Sequence, residues 1–384
     1  MRMRPVAARW ACKWGLALLP ALAAPGLSTA QAPAQPAAWV LGQTLSLSGP
    51  HARLGQALLR GRQACVDAVN REGGIGGRTL RLVTLDDGGR PERALANVQT
   101  LLQTEQAVAL LGAMGAAINP GLLRETARQG VLVLAPFGGD VATRARPPEG
   151  VVFITANQSA EAEHLVRHLS STGVSQVAVV ASNDDTGQSA LSALEEALSV
   201  AGIPAGLTLG VDPDGRGVQA AAARLRQAPP QALLLATSGL ATARLLRELG
   251  SASGALQVYG MSATASLEDL RSLQGLGRGL AMTQVLPSIN DPHLPLLAQF
   301  RQAMQSARVE AGHVELEGCV SVLTFAAVLR AQRSLPAPHR SAVLQAFRST
   351  SRVRVGGLEV PLDPRASGRF VDIVYIGADT RVLR

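Results

Sequence analysis

The sequence predicts an α/β protein with two doubly wound, parallel-sheet lobes. Strand-like and helix-like patterns alternate from residue 38 onward, which is typical of a parallel sheet covered by helices on both faces. The alternation restarts near Val151, as a second α/β unit would. The chain then returns to three helix-like stretches and a pair of strand-like runs, which indicates that it crosses between the lobes more than once.

The first unit opens with the strand-like run WVLGQTLSL. Its later strands alternate apolar and polar residues or are continuously apolar, and its helices repeat apolar residues at helical spacing. In order, we expect a strand at 39–47, a helix at 54–71, a strand at 78–85, a helix at 91–104, a strand at 107–113, a helix from about residue 116 and a strand at 131–136.

The glycines of VNREGGIGGRTLRLVTLDD separate the first helix from the second strand. A glycine loop that holds a phosphate follows a strand and precedes a helix, which is the opposite order. Gly74 and Gly76 also fail to continue into the spacing G-x-G-x-x-G. Because glycine commonly follows the last turn of a helix, we interpret this loop as a structural corner and not as a phosphate site.

The second unit begins with the strand-like run VVFITA. We expect strands at 151–156, 176–182, 207–211, 232–237 and 257–261, separated by helices at 160–171, 187–202, 217–228 and 241–250. Beyond GLAMTQVLP, the later helices are expected at 293–307, 314–331 and 339–348, and the terminal pair of strands at 354–362 and 368–377.

Residues 1–30 have the pattern of a cleaved Sec-type signal peptide. Four basic residues precede or flank an apolar stretch at 14–27 that Pro20 interrupts, and small residues precede Gln31. The stretch is too short to span a bilayer core of about 30 Å. We therefore expect export to the periplasm, with residues 31–37 as a flexible lead-in.

Charge and lysine content exclude several functions. Without the signal peptide, 32 basic residues face 28 acidic ones, so the net charge falls from +8 to +4. The basic residues are scattered and only two tyrosines are present, so no nucleic-acid partner is expected. Lys13 is the only lysine, which leaves the exported chain without a Schiff-base lysine or a P-loop lysine.

No group of residues resembles a catalytic or metal site. His164 and His168 lie four residues apart, but the glutamate of a metalloprotease motif is absent, so a solvated helix face is favoured over a zinc site. Asp184 and Asp185 lie between a strand and a helix, where capping is favoured over acid–base chemistry. We therefore expect a protein that is not an enzyme and that has no metal or cofactor.

Two cysteines, Cys65 and Cys319, remain after export. An oxidising compartment permits a disulfide between them, but their spacing does not determine it. We favour two buried free thiols. His313 is the only histidine near Cys319, so a nucleophile with its base is poorly supported.

Six turns that follow strands contain the candidate ligand contacts. Ligands of open parallel sheets bind beyond the carboxyl ends of the strands, where helix N-termini offer backbone donors. The six turns are SLSGPHARLG, GAMGAAINP, APFGGDVAT, ASNDDTGQ, ATSGLAT and GMSATAS.

The chain from the first strand onward resembles the type I periplasmic substrate-binding proteins, in particular the branched-chain amino-acid and amide-binding group that serves ABC importers. The resemblance depends on the long run SLSGPHARLGQALLRGRQACVDAVNREGGIGGRTLRLVTLDDGGRPERAL, followed in order by VLVLAPFGG, QVAVVASNDDTGQ and LLLATSGLATARLLREL. It implies two lobes joined by a hinge of three crossovers that closes over a ligand. We expect lobe 1 at 38–156 and 286–345, and lobe 2 at 157–285 and 346–384.

The resemblance also implies the function. We expect an exported solute-binding protein that captures a small organic ligand between its lobes and delivers it to the membrane permease of an ABC importer. The alternative is a sensor of the same fold that presents its ligand-closed form to a membrane receptor or a two-component partner.

By the same resemblance, the residues with which relatives hold an amino acid are replaced in this chain. A carboxylate-binding serine corresponds to Ala116, a threonine that contacts both ends of the ligand to Gly139, and the acidic partner of the ammonium group to Ser262. Three pocket aromatics correspond to Leu54, Thr186 and Ser238.

These replacements favour a carboxylate or an amide over a zwitterionic amino acid, because a buried ammonium group without a carboxylate partner costs at least a few kcal/mol. Backbone N–H groups can still hold a carboxylate, and two apolar side chains can contact its body. The donors are expected at Gly115, Ala116, Ala117, Gly138 and Gly139, and the apolar contacts at Leu54 and Phe137.

Overall fold

The structure is a computed structural model that describes residues 38–138, 141–250, 256–264, 266–273, 275–334, 337–363, 370–377 and 382–383. The expected signal peptide at 1–30, the lead-in at 31–37 and the predicted site residue Gly139 lie outside these ranges.

The first sheet has five strands, all parallel, in the order β2-β1-β3-β4-β5. The strands are β1 (Trp39–Leu45), β2 (Leu80–Asp86), β3 (Ala109–Leu111), β4 (Val133–Leu134) and β5 (Val151–Val152). The helices that follow them are α1 (Ala52–Arg71), α2 (Pro91–Gln103), α3 (Asn119–Arg128) and α4 (Val141–Ala145). Buried strands of this kind read as continuous apolar runs because both faces of the sheet are covered.

The glycine loop after α1 is a structural corner, as predicted. The N–H of Gly74 donates to the carbonyl of Val69 at 2.9 Å, which closes the helix end. The Asn70 side chain then pairs with both backbone groups of Leu80, at 2.9 and 2.7 Å, and so fixes the start of β2.

The second sheet has seven strands in the order β14-β13-β10-β9-β8-β6-β7. Its parallel strands are β6 (Val177–Ser182), β7 (Ala205–Val211), β8 (Ala232–Ala236), β9 (Gln257–Gly260) and β10 (Ala281–Gln284). Their helices are α5 (Gln158–Ser171), α6 (Asp185–Ala201), α7 (Val218–Gln227), α8 (Gly239–Leu249) and α9 (Leu267–Ser272).

The last part of the chain serves both sheets. Three helices and a hairpin come first: α10 (Pro295–Ser306), α11 (His313–Arg330), α12 (Arg340–Arg348), β11 (Arg352–Val355) and β12 (Leu358–Pro361). Two antiparallel strands, β13 (Asp372–Ile376) and β14 (Val382–Leu383), then complete the second sheet. The chain therefore passes between the sheets three times, after β5, β10 and β12.

One predicted lobe boundary and the predicted strand pair need correction. Residues Phe347, Val353 and Val360 share one buried core with Trp39 of the first sheet, so lobe 1 continues past residue 345 to about Leu362. The run RVGGLEVPL is not one strand, because Gly356 and Gly357 both have positive φ and turn it into a hairpin. The third crossing consequently falls between β12 and β13.

Helices α1 and α11 cross at very short range. A Cβ on Gly61 would overlap the backbone of Glu315, and one on Gly318 would approach the carbonyl of Leu58 to 2.6 Å. This approach places the Cα atoms of Cys65 and Cys319 5.3 Å apart, and the two residues form a disulfide. The favoured interpretation of two free thiols was therefore wrong, because helix packing brings together cysteines 254 residues apart.

No helix in the described ranges is both long enough and apolar enough to cross a membrane. Nor do those residues include a group of three or more side chains suited to holding a metal ion. His168, one of the two helical histidines, instead hydrogen-bonds its Nε2 atom to the Tyr375 hydroxyl at 3.1 Å.

Candidate functional site

A cavity of about 140 Å³ lies at the carboxyl ends of both sheets, where the two lobes meet. All six turns predicted to carry ligand contacts contribute to its lining. In a parallel sheet these turns all lie at the same edge, so two facing sheets bring their turns together across a single cleft.

Seven of the ten predicted site residues line this cavity: Leu54, Gly115, Ala117, Phe137, Gly138, Thr186 and Ser238. Ala116 acts through its backbone, since its N–H donates to the Thr186 Oγ1 atom of the opposite lobe at 3.2 Å. Ser262 lines a smaller pocket beside the cavity.

Several lining residues were not predicted as ligand contacts. Most lie within the six quoted turns, whose composition was the available signal, whereas Gln158 lies at the start of α5. The additional lining residues are Ser46, His51, Gly89, Met114, Ile118, Gln158, Ser182, Asp184, Asp185, Gly187, Ala190, Ala236, Thr237, Met261, Ala263 and Thr264.

Two helices of the second lobe begin at the cavity wall. Asp184 caps α6, as predicted, by accepting a hydrogen bond from the Gly187 N–H at 2.8 Å. Ser238 caps α8 in the same way through the Ala241 N–H at 3.1 Å. The N-terminus of α8, which has a neutral cap, carries partial positive charge and favours an anion in the cavity, whereas the N-terminus of α6 already holds the Asp184 carboxylate.

A hydrogen-bonded pair of a histidine and a carboxylate connects the lobes at the cavity. His51 of the first lobe lies with its Nε2 atom 3.0 Å from Asp184 Oδ2 of the second. Burial alone would raise the pKa of Asp184, but the hydrogen bonds from His51 and from the Gly187 N–H outweigh it and hold that pKa below its usual value. Asp184 is therefore an anion at neutral pH, committed to its cap and to His51.

Among the described residues, the cavity lining includes backbone donors without a protein partner, and two of them lie in turns predicted to contact the ligand. Within the described ranges, the N–H groups of Ala117 and Gly138 donate to no other protein group. Apolar side chains, among them Leu54, Phe137 and Met261, form much of the remaining wall. Backbone donors beside an apolar wall suit a ligand with an acceptor group and an apolar body.

A second, smaller pocket of about 20 Å³ adjoins the cavity. We call it the acidic chamber, because it is lined by the carboxylates of Glu161 and Glu317, together with Thr155, Gln158, Ser262 and six residues of apolar or backbone character. Glu161 comes from α5 and Glu317 from α11, and their exposed fractions are 3% and 8%. A pocket of this size holds about one water molecule or one hydroxyl group.

Burial controls the ionisation of the acidic chamber. It raises the pKa of Glu317 to about 7, against the opposing field of the Arg144 guanidinium. It also raises the pKa of Glu161, although Thr283 and Ser262 donate hydrogen bonds to that carboxylate. On the other side of Glu317, burial lowers the pKa of Arg62 to about 10, which leaves that side chain protonated at neutral pH.

Comparison with the sequences of known proteins identifies the family to which this chain belongs. The model of a family described as periplasmic binding protein matches residues 39–376. An amino acid binding protein from Pseudomonas aeruginosa is 32% identical over 72 residues, which are 18% of this chain and 19% of that relative. The chain thus matches only about a fifth of this relative's length.

Comparison with solved structures gives the fold. A substrate-binding periplasmic protein from Ralstonia solanacearum has a TM-score of 0.82 at 26% identity, over 90% of this chain and 99% of the other. A solute-binding protein of an ABC transporter from R. palustris, in complex with benzoate, has a TM-score of 0.79 at 17% identity, over 90% and 95% of the two chains.

The expected fold class, with two parallel-sheet lobes of the type I periplasmic binding proteins, is confirmed. Proteins of this family bind substrates and are not enzymes. Because the family model matches the chain from β1 to the end of β13, this protein is a member of the periplasmic binding protein family.

Proposed function

We propose that this protein is an exported solute-binding protein that captures a small organic carboxylate between its lobes and delivers it to the permease of an ABC importer. The observation that carries the proposal is the pair of open N–H groups at Ala117 and Gly138 in a largely apolar cavity built by both lobes. Export to the periplasm is supported by the signal-peptide pattern of residues 1–30.

Three further features support a carboxylate, or less strongly an amide. The N-terminus of α8 favours negative charge at the cavity wall. A cavity of about 150 Å³ accommodates a benzene-sized molecule, and the present one is of the same order. A structural neighbour with two lobes of the same fold was solved with benzoate.

A ligand with an amino group is the second candidate. The argument against it depended on Ser262 replacing an acidic residue, yet the Ser262 N–H donates to the Glu161 carboxylate at 2.8 Å, so an acid lies at that place after all. A sequence relative is also named an amino acid binding protein.

Binding experiments separate the two candidates. Refolded, ligand-free protein is titrated by calorimetry with benzoate, benzamide, benzyl alcohol and isoleucine. We expect benzoate to bind more tightly than benzamide, and the alcohol and isoleucine to bind weakly or not at all. Submicromolar binding of isoleucine would contradict the proposed ligand class.

A matched pair of variants tests the location of the site. Ala117 is exposed and lines the cavity, so it tolerates a larger side chain. Ala117→Asp places a negative charge beside the two donors, whereas Ala117→Asn has the same shape without the charge. We expect Ala117→Asp to bind benzoate about ten-fold more weakly than Ala117→Asn. Equal affinities would place the carboxylate elsewhere.

Delivery to an importer is tested in cells. Loss of the gene should abolish uptake of the labelled ligand if the protein serves transport. If uptake persists while a transcriptional response to the ligand disappears, the sensing alternative is correct.

A further inference from the structure

The acidic chamber is built across the two lobes. Glu161 belongs to the second lobe and accepts hydrogen bonds from Ser262 and Thr283, while Glu317 belongs to the first lobe and lies 3.4 Å from Thr155 Oγ1. Because the two carboxylates come from opposite lobes, the chamber is complete only when the lobes are together.

Two polar atoms of the chamber lack a protein partner. Among the described residues, no donor reaches Glu317 Oε2, and the Nε2 atom of Gln158 has no acceptor, because Gln158 is bound only through its Oε1 atom, by Ser189 at 2.8 Å. Gln158 is 5% exposed and Glu317 is 8% exposed. Both residues line the pocket, so a ligand atom that hydrogen-bonds to one of these two atoms gains affinity.

When both glutamates are ionised, the charges around the chamber are balanced. Arg62 and Arg144 act on Glu317 from the surrounding protein and offset the two carboxylates. The guanidinium of Arg144 is itself held in place by the Thr155 carbonyl, at 2.8 Å, and by the Phe153 ring, at 3.9 Å. An added ammonium group would bring a net positive charge into this buried cluster, whereas a neutral donor would not.

The chamber also has a defined position relative to the cavity. Phe137, Gly138 and Gln158 line both spaces. A carboxylate held by the Gly138 N–H therefore lies beside the entrance of the chamber. A group that enters the chamber must be attached close to that carboxylate, on the adjacent carbon.

We propose that the acidic chamber is a subsite for a neutral hydroxyl group on the carbon next to the ligand carboxylate, so that the protein selects small 2-hydroxy acids. The hydroxyl donates to the open oxygen of Glu317 and accepts from the Gln158 amide. This inference rests on the proposed capture of a carboxylate, and it adds the group that distinguishes one carboxylate from another.

Three probes of the same shape test the subsite: 2-hydroxy-3-methylbutanoate, 3-methylbutanoate and valine, which carry a hydroxyl, a hydrogen and an ammonium group at one position. With the wild-type protein at about pH 8, where Glu317 is mainly ionised, we expect the hydroxy acid to bind about ten-fold or more tightly than either of the other two, as for a hydrogen bond to a charged group.

Two variants test whether Glu317 is the residue that selects the hydroxy acid. Glu317→Gln should reduce the preference for the hydroxy acid over 3-methylbutanoate to within about three-fold. The control is Glu163→Gln, an exposed glutamate on the same helix as Glu161, which should keep the full preference. The ratio of two affinities does not change if a variant merely lowers the fraction of folded protein.

The outcomes separate the two proposals. If 3-methylbutanoate and the hydroxy acid bind equally well, the subsite is refuted while carboxylate capture stands. If valine binds most tightly and Glu317→Gln weakens it, the chamber takes an ammonium group, and the assignment of a neutral donor is wrong. If none of the three probes binds at millimolar concentration, both proposals fail for ligands of this size and the subsite loses its foundation.

Discussion

Replacing Glu317 by glutamine should change how the stability of the protein depends on pH. The carboxyl group of Glu317 is buried in the hinge region, and its pKa in the folded protein is raised from 4.5 to about 7. In the unfolded chain the group returns to its ordinary pKa. The fold therefore favours the neutral form, which glutamine imitates at every pH.

The direction and the size of the stability change follow from the difference between the pKa of Glu317 in the folded and in the unfolded protein. Below pH 4.5 the carboxyl group is protonated in both states and has no effect on the free energy of unfolding. Between pH 4.5 and about 7 the unfolded chain releases its proton first, so the wild-type protein loses stability as the pH rises. The total loss is about 3 kcal/mol at 1.36 kcal/mol per pH unit, and it is complete above about pH 7.

Thermal unfolding of refolded, ligand-free protein measures this effect. For a compact chain of the length of Ala37–Arg384, a loss of about 3 kcal/mol lowers the Tm by about 4 °C. Relative to pH 4.5, the Tm of the wild-type protein at pH 8 should thus fall by about 4 °C more than that of Glu317→Gln. The exposed Glu163→Gln variant should follow the wild-type curve. Parallel curves for wild type and Glu317→Gln would refute the reasoning.

Two further predictions concern the packing of α1. The double variant Cys65→Ala with Cys319→Ala should lose about 5 kcal/mol of unfolding free energy, or about 7 °C in Tm, because the disulfide closes a very long loop. Reduced wild-type protein is the control for the lost sulfur volume. An unchanged Tm of the double variant would contradict the estimate. Gly55→Ala should destabilise by about 2 kcal/mol, because the added Cβ overlaps the Ser46 carbonyl. Gly121 is a helical position with no atom within 4 Å of an added Cβ, so Gly121→Ala should instead stabilise the protein by about 0.5 kcal/mol. If calorimetric scans showed the same Tm shift for the Gly55 and Gly121 variants, the steric argument would be contradicted.

Local patterns predicted much of the fold. The alternation of strands and helices is a property of neighbouring residues, since each element shows its buried face through its own periodicity. The position of the cleft followed as well, because the turns after parallel strands lie at one edge of the sheet. Within those turns, the family resemblance singled out Leu54 and Thr186, and both line the cavity.

Long-range contacts could not be predicted in the same way. His51 and Asp184 lie 133 residues apart, and each has an adequate local explanation, in a turn and as a helix cap. Glu161 belongs to AEAEHLVRHL, which has the appearance of a solvated helix face. Glu317 did leave a signal, because it lies in the largely apolar helix HVELEGCVSVLTFAAVLR, where a charged residue must be buried and partnered.

The disulfide between α1 and α11 has a consequence for the biosynthesis of the protein. It encloses α2 to α10 and strands β2 to β10 in one covalent ring, so the parallel part of the second sheet is an insertion between its two cysteines. In the export that we propose, which begins at the N-terminus, the ring closes only after Cys319 has emerged, when most of the polypeptide has already crossed the membrane. Once closed, a single protease cut at any exposed loop inside the ring leaves the two fragments joined until a reductant separates them.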